Sequence, residues 1–167
     1  MRLTNRQVLD LYKFLTGLEQ EADEWGKLIR VNRSRIADKS VRSAVIDNIV
    51  ALAPVYDEIQ KQESILRSQY FTENYLELYR QFLAANDIND TTKIKEMHDA
   101  LKEAEKPFAS DYLTSREKLL NREQDINLTQ IERNRFDAAT ETCCFSMRVY
   151  SEFVFMFKNK EVSDEKN

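Results

Sequence analysis

Two glycines and two prolines are spread through 167 residues, and that scarcity constrains the fold more than any other feature of the chain. Average usage would supply about twenty of these residues. Sandwiches, barrels and propellers need a turn every ten residues or so, with Gly, Asn or Pro where the backbone takes a special geometry. This chain lacks such punctuation and reads as all-α or nearly all-α, a helical bundle. Gly17 and Gly26 stand alone in the sequence, so neither belongs to a phosphate-cradling fingerprint.

The apolar period fills in the elements. Thr4 and Gln7 have the spacing of a capping box, with Leu3 and Val8 at the staple positions, so a helix is expected to begin at Asn5. Val8, Leu11, Tyr12, Leu15 and Leu18 continue along one face. The acidic run Glu19, Glu21, Asp23 and Glu24 reads as a solvated continuation that Gly26 closes. Residues 27–31 fit either an extended piece or more helix.

From about Ser40 the helical period returns, with Val41, Val45, Ile49, Leu52, Tyr56, Ile59 and Leu66. A long helix reaching Tyr70 is expected. Pro54 should kink it near Val50 or split it, because proline lacks the N–H and its ring clashes with the preceding turn. Thr72 is expected to cap a third helix, and the polar run Asn86-Asp87-Ile88-Asn89-Asp90 to separate it from a fourth over about Thr91–Glu105. Pro107 precedes a fifth helical segment through Leu119 and Leu120. Residues 125–129 alternate polar and apolar, a weak strand signal. A minor two-stranded contact between residues 27–31 and 126–128 is therefore expected. A last helix is placed over about 136–158, ahead of a charged tail, 159–167, expected to be disordered. Residues 1–158 read as one helical domain of ordinary size.

The net charge of −4 and a pI near 5.2 give the chain as a whole no attraction to nucleic acid or to an anionic membrane. Binding of that kind would need a local patch, and one stretch offers it. Lys27, Arg30, Arg33, Arg35, Lys39 and Arg42 stand against the single acid Asp38, a local balance of +5. Three readings stay open for these six residues: a solvated connection, a protein or self-association contact, or phosphate contacts to nucleic acid. Arginine forks suit carboxylate and phosphate alike.

A second concentration is aromatic. Phe145, Tyr150, Phe153, Phe155 and Phe157 fall on more than one face of any regular element, which fits either the centre of the bundle or an interface with another protein. The means for chemistry are thin. His98 is the sole histidine, in Glu96-Met97-His98-Asp99. It has no second histidine or Glu-x-x-His partner at ligand spacing and reads as an exposed helix residue. Glu19, Asp23, Glu96 and Asp99 form helical carboxylate pairs that read as solvated. No catalytic residue, metal ligand or cofactor is expected, and the chain reads as non-enzymatic. Cys143 and Cys144 are adjacent and read as apolar filling in a reducing, intracellular setting. The opening residues lead directly into an amphipathic pattern, so no secretory leader is expected. Residues 143–157, interrupted by Arg148 and Glu152, fall short of a membrane span, and no membrane partner is expected.

Three segments in order carry a family resemblance: Met1-Arg2-Leu3-Thr4-Asn5-Arg6-Gln7-Val8, then Ala44-Val45-Ile46-Asp47-Asn48-Ile49-Val50-Ala51-Leu52 with Tyr56-Asp57-Glu58-Ile59-Gln60-Lys61, and Lys118-Leu119-Leu120-Asn121-Arg122-Glu123-Gln124-Asp125-Ile126-Asn127-Leu128-Thr129-Gln130-Ile131. The chain resembles a group of small helical proteins, mostly of unknown function, encoded by tailed bacteriophages and prophages. The likeness covers about half of the chain and consists of hydrophobic spacings. The connection before the long helix lacks the proline of that pattern, and the C-terminal region is richer in aromatics. The resemblance supplies no catalytic residue. It implies a protein-interaction role, as an assembly factor, virion adaptor or binder of a host protein, in the bacterial cytoplasm or on the virion. The alternative is a nucleic-acid-binding or anti-defence protein that acts through residues 27–42.

Overall fold

The computed structural model describes residues 1–17, 20–22, 28–30, 36–140 and 153–158. The protein is nearly all-α, with minor antiparallel β contacts. In chain order the described elements are β1 (Arg2–Thr4), α1 (Asn5–Gly17), β2 (Gln20–Ala22), β3 (Leu28–Arg30), α2 (Lys39–Tyr70), α3 (Glu73–Asp87), α4 (Thr91–Glu105), α5 (Ala109–Leu120), β4 (Glu123–Asp125) and α6 (Arg133–Ala139), followed by a 3-10 turn at Val154–Met156. The chain divides into two compact units: Met1–Tyr56 with Glu123–Asn167, and Asp57–Arg122. Composition does not mark that division within residues 1–158.

In the first unit the local signals act as their chemistry requires. The backbone N–H of Thr4 donates to Gln7 Oε1 at 2.9 Å, and the N–H of Gln7 donates back to Thr4 Oγ1 at 3.2 Å. This reciprocal box satisfies donors that a helix start leaves open. Leu3 and Val8, on either side of it, are both buried. α1 then buries Val8, Leu11 and Leu15 on one face. On α2 the buried positions Val41, Ala44, Val45, Asn48 and Leu52 recur at three and four residues. Tyr12 stacks on Tyr56 with centroids 4.2 Å apart.

Two polar residues inside this core are satisfied. Asn48 donates through Nδ2 to the carbonyl of Thr129 at 3.0 Å and accepts from the Thr129 N–H at 2.7 Å. Its amide thereby acts as a strand partner for one residue. Asn5 Oδ1 accepts from Gln124 Nε2 at 3.0 Å. Ahead of α2, Asp38 caps the helix by accepting from the N–H groups of Ser40 and Val41, and it pairs with Arg135 at 2.9 Å. The Val41 N–H first, and the Arg135 guanidinium next, hold its carboxyl well below the ordinary carboxylate range.

Three expectations need correction. The strand pairing differs: β3 pairs with β2 in the register Gln20↔Arg30, and β4 pairs with β1 in the register Arg2↔Asp125. Residues 28–30 and the 123–125 strand are both extended, but each finds a different partner. α1 does not continue through the acidic run, because it closes at Gly17 and Glu21 lies in β2. A Cβ at Gly17 would meet nothing within 4 Å, so packing does not demand glycine there; its low helix propensity suits an end.

The described parts of the last expected helix also differ from it. α6 covers Arg133–Ala139 and Thr140 caps its end, residues 141–152 lie outside the described residues, and residues 154–156 form a 3-10 turn before an extended Phe157. The extended backbone lets Ile131 donate to the Met156 carbonyl at 3.0 Å and accept from the Lys158 N–H at 3.0 Å. Those bonds, with burial of Met156 and Phe157, outweigh helical continuation. Pro54, by contrast, lies inside an α2 that runs on to Tyr70.

The second unit contains the C-terminal part of α2 with α3, α4 and α5. Thr72 caps α3 by accepting from the Tyr75 N–H at 3.2 Å, and Asp90 caps α4 by accepting from the Lys93 N–H at 3.0 Å. Between the two helices Asn89 takes φ 54°, a left-handed conformation that asparagine tolerates. Its buried apolar residues are Ile59, Ala85, Leu101, Leu119 and Leu120.

Candidate functional site

The second unit places aromatic rings where three helices and a turn meet. Phe71 lies just before the Thr72 cap, so the start of α3 sets its position; Tyr75 and Tyr79 follow at helical spacing. Phe108 comes from the turn after Pro107, and Tyr112 lies one turn into α5. The Phe71 ring is 4.8 Å from Tyr75, 4.9 Å from Tyr112 and 5.6 Å from Phe108. Tyr75 meets Phe108 edge-on at 5.4 Å, and Tyr70 approaches Tyr112 at 5.8 Å. These tilted and edge-on contacts avoid the face-to-face stacking that ring quadrupoles disfavour. The Tyr70 and Ser115 hydroxyls are 3.0 Å apart, which fixes α2 to α5 within the unit.

Beside these rings lies an open cleft of about 540 Å³, lined by Ser64, Arg67 and Ser68 of α2, by Phe71, by Tyr75, Leu76 and Tyr79 of α3, and by Tyr112. Leu76, Tyr79 and Leu83 are 38%, 45% and 44% exposed. Their spacing puts them in one row, so the apolar lining of the cleft continues along the helix surface. Burial first, then the charge of Glu105, pushes the Tyr75 phenol above its usual pKa. It is therefore a neutral hydroxyl at physiological pH.

Glu63 sets the charge of the wall. It is buried, takes a hydrogen bond from Arg116 Nε at 2.8 Å, and has Arg67 at 3.9 Å. One carboxylate thus serves two guanidinium groups. Arg116 holds it at the shorter distance, while Arg67 is about half exposed at the cleft.

The residues singled out from sequence are distributed differently. Of the basic stretch, Lys27, Arg33 and Arg35 lie outside the described residues, and Arg30 ends β3. Lys39 is exposed at the start of α2. Arg42 is committed within the chain: its Nε and Nη2 donate to the Ile36 carbonyl at 3.2 and 2.8 Å.

Of the aromatic set, Phe145 and Tyr150 lie outside the described residues, as do Cys143, Cys144 and the tail 159–167. Phe153 and Phe157 are buried in the first unit, Phe153 stacked on Phe14 at 5.0 Å and Phe157 edge-on to Phe136 at 5.3 Å. Phe155 is half-buried. The core alternative therefore describes Phe153 and Phe157, which present no surface for a partner. His98 is exposed on α4, 3.7 Å from Asp99. Among the described residues no group of three His, Cys, Asp or Glu could hold a metal ion, and no helix is long and apolar enough to cross a membrane.

The helical spacing after Thr72 puts Tyr75, Leu76, Tyr79, Phe82 and Leu83 on one helix, but nothing in the sequence joins them to Phe71, Phe108 and Tyr112. The available signal was aromatic residues flanking both the Thr72 cap and Pro107, two points where the chain changes direction. Comparison of the chain with protein-family models, curated proteins and solved structures finds no match.

Proposed function

We propose that the protein is a non-enzymatic interaction protein that binds another protein through the helix surface of its second unit. The observation that carries this reading is the exposed row Leu76, Tyr79 and Leu83, continuous with an aromatic-walled cleft. Contiguous apolar surface of this kind is costly to leave in water and commonly marks a binding site. Lateral resemblance to the small helical proteins of tailed phages supports a role in virion assembly, as an adaptor, or in binding a host protein. Behind the cleft wall Glu63 ties α2 to α5 by accepting from Arg116 Nε at 2.8 Å.

The test compares the wild-type chain with a Leu76→Arg, Leu83→Arg double variant as immobilised bait in lysate from phage-infected bacteria. Both positions are exposed, so the variant is expected to fold, as circular dichroism would check. A protein retained by the wild type and lost from the variant is the expected result. Identical retention by both chains overturns this surface as the binding site, and retention of nothing by the wild type overturns protein binding itself.

A further inference from the structure

We propose that the cleft of the second unit receives a linear segment of the partner that carries a large aromatic or aliphatic side chain and, nearby, a carboxylate. This rests on the protein-binding reading above and adds the chemistry of the partner. Phe71, Tyr75, Tyr79, Tyr112 and Leu76 give the apolar wall, and of the described lining residues Arg67 alone carries charge.

That charge is incompletely matched inside the protein. Glu63, its nearest carboxylate, is 3.9 Å away and is already held by Arg116 at 2.8 Å. A guanidinium at an apolar wall gains most from a planar carboxylate that it can bind in two places. Recognition of a phosphorylated segment would call for a cluster of arginines, whereas this cleft holds one. Nucleic acid is a poor fit for the same reason, since its affinity grows with the number of phosphates neutralised.

A second groove on the same unit has the same sign. About 330 Å³ in volume, it is lined by Gln62, Gln69, Lys118 and Arg122 among others, with no carboxylate among the described lining residues. In a chain of net charge −4, two grooves whose described lining carries cations and no carboxylate favour an acidic segment, with Glu105, whose charge reaches Tyr75, lying outside that lining.

The length of the surface favours a segment over a compact ligand. Leu83 is seven positions after Leu76, roughly 10 Å along the helix at ~1.5 Å per residue, and lies beyond the residues that line the cleft. A peptide that seats its anchor among the rings can run along this row. Exposed tyrosine and arginine at such a surface are the residue types that most often dominate binding.

The test is display selection of random 12-residue peptides against the full chain, followed by affinity measurements of the enriched peptides on Arg67→Glu and Tyr79→Ala variants. The expected pool pairs Phe, Tyr, Trp or Leu with Asp or Glu, and each variant weakens those peptides at least tenfold. Raising the salt concentration should also weaken them on the wild type. Enriched peptides that are neutral or basic overturn the proposal. So do acidic peptides whose affinity neither variant changes, although the protein-binding reading then survives on another surface. No enrichment over a blank support overturns both. Full displacement of the peptides by micromolar phenylpropionate would make the site one for a small aryl acid and overturn the segment as its occupant.

Discussion

The first unit buries a dense aliphatic and aromatic core: Leu11, Leu15, Ile36, Val45, Leu52 and Met156 are all fully enclosed. The second unit hides few large side chains and leaves Tyr79, Leu76 and Leu83 substantially in water. The two also use polar groups differently. Asn48 is spent on a backbone partner inside the first unit, whereas Arg67 stands at an open cleft in the second. Burial in one unit supplies the rigidity, while unsatisfied apolar surface in the other is what a partner can cover.

The sharpest way to break this contrast is a matched pair of core truncations. Leu15→Ala should cost about 2–5 kcal/mol, because a fully buried leucine leaves a cavity as well as losing its transfer energy. Leu101→Ala in the second unit should fall at or below the low end of that range. Urea unfolding measures both, and equal losses would remove the contrast. Next, Asn48→Ala strips both hydrogen bonds from Thr129 and should cost about 1–3 kcal/mol. Thr4→Ala, which removes half of the capping box, should cost about 1 kcal/mol.

The acid arm of stability gives a smaller and different test. The Asp38 carboxyl titrates below its ordinary range in the folded protein, so the native state binds fewer protons than the unfolded chain in that interval. Its contribution is complete above the unfolded pKa of about 4 and is lost as pH falls from there toward the lower folded value. Asp38→Asn should therefore flatten the acid side of a stability-pH curve and leave the profile between neutrality and pH ~5 unchanged in slope. At the bottom of the scale, Leu83→Ser should change stability by no more than about 0.5 kcal/mol, since its side chain is already exposed. A large loss there would mean the row belongs to the core after all.

What could be read from sequence follows how far apart the interacting residues are. Thr4 with Gln7, and Thr72 with Tyr75, lie within one turn, and their caps form as the residue types require. The long helix was legible too, because its apolar period persists through Pro54. β1 was not, since Arg2-Leu3-Thr4 has three residues and a partner more than a hundred positions away. Residues 154–158 were not legible for another reason. Aromatics on more than one face leave no clear period to choose between a helix and an extended segment, and the bonds between Ile131 and residues 156 and 158 decide it there. The candidate cleft was half legible: its α3 residues follow the helical period, but Phe71, Phe108 and Tyr112 join them only through tertiary packing.

The pairing of Arg2 with Asp125 also has a meaning for synthesis. The second unit, Asp57–Arg122, is interrupted by no other unit, while the first is made of two separated stretches. At about 5–20 residues per second, the ribosome completes the whole second unit before β4 exists. β1 therefore waits for its partner through several seconds of translation, and the first unit, despite holding the start of the chain, cannot close until the whole of the second has been synthesised.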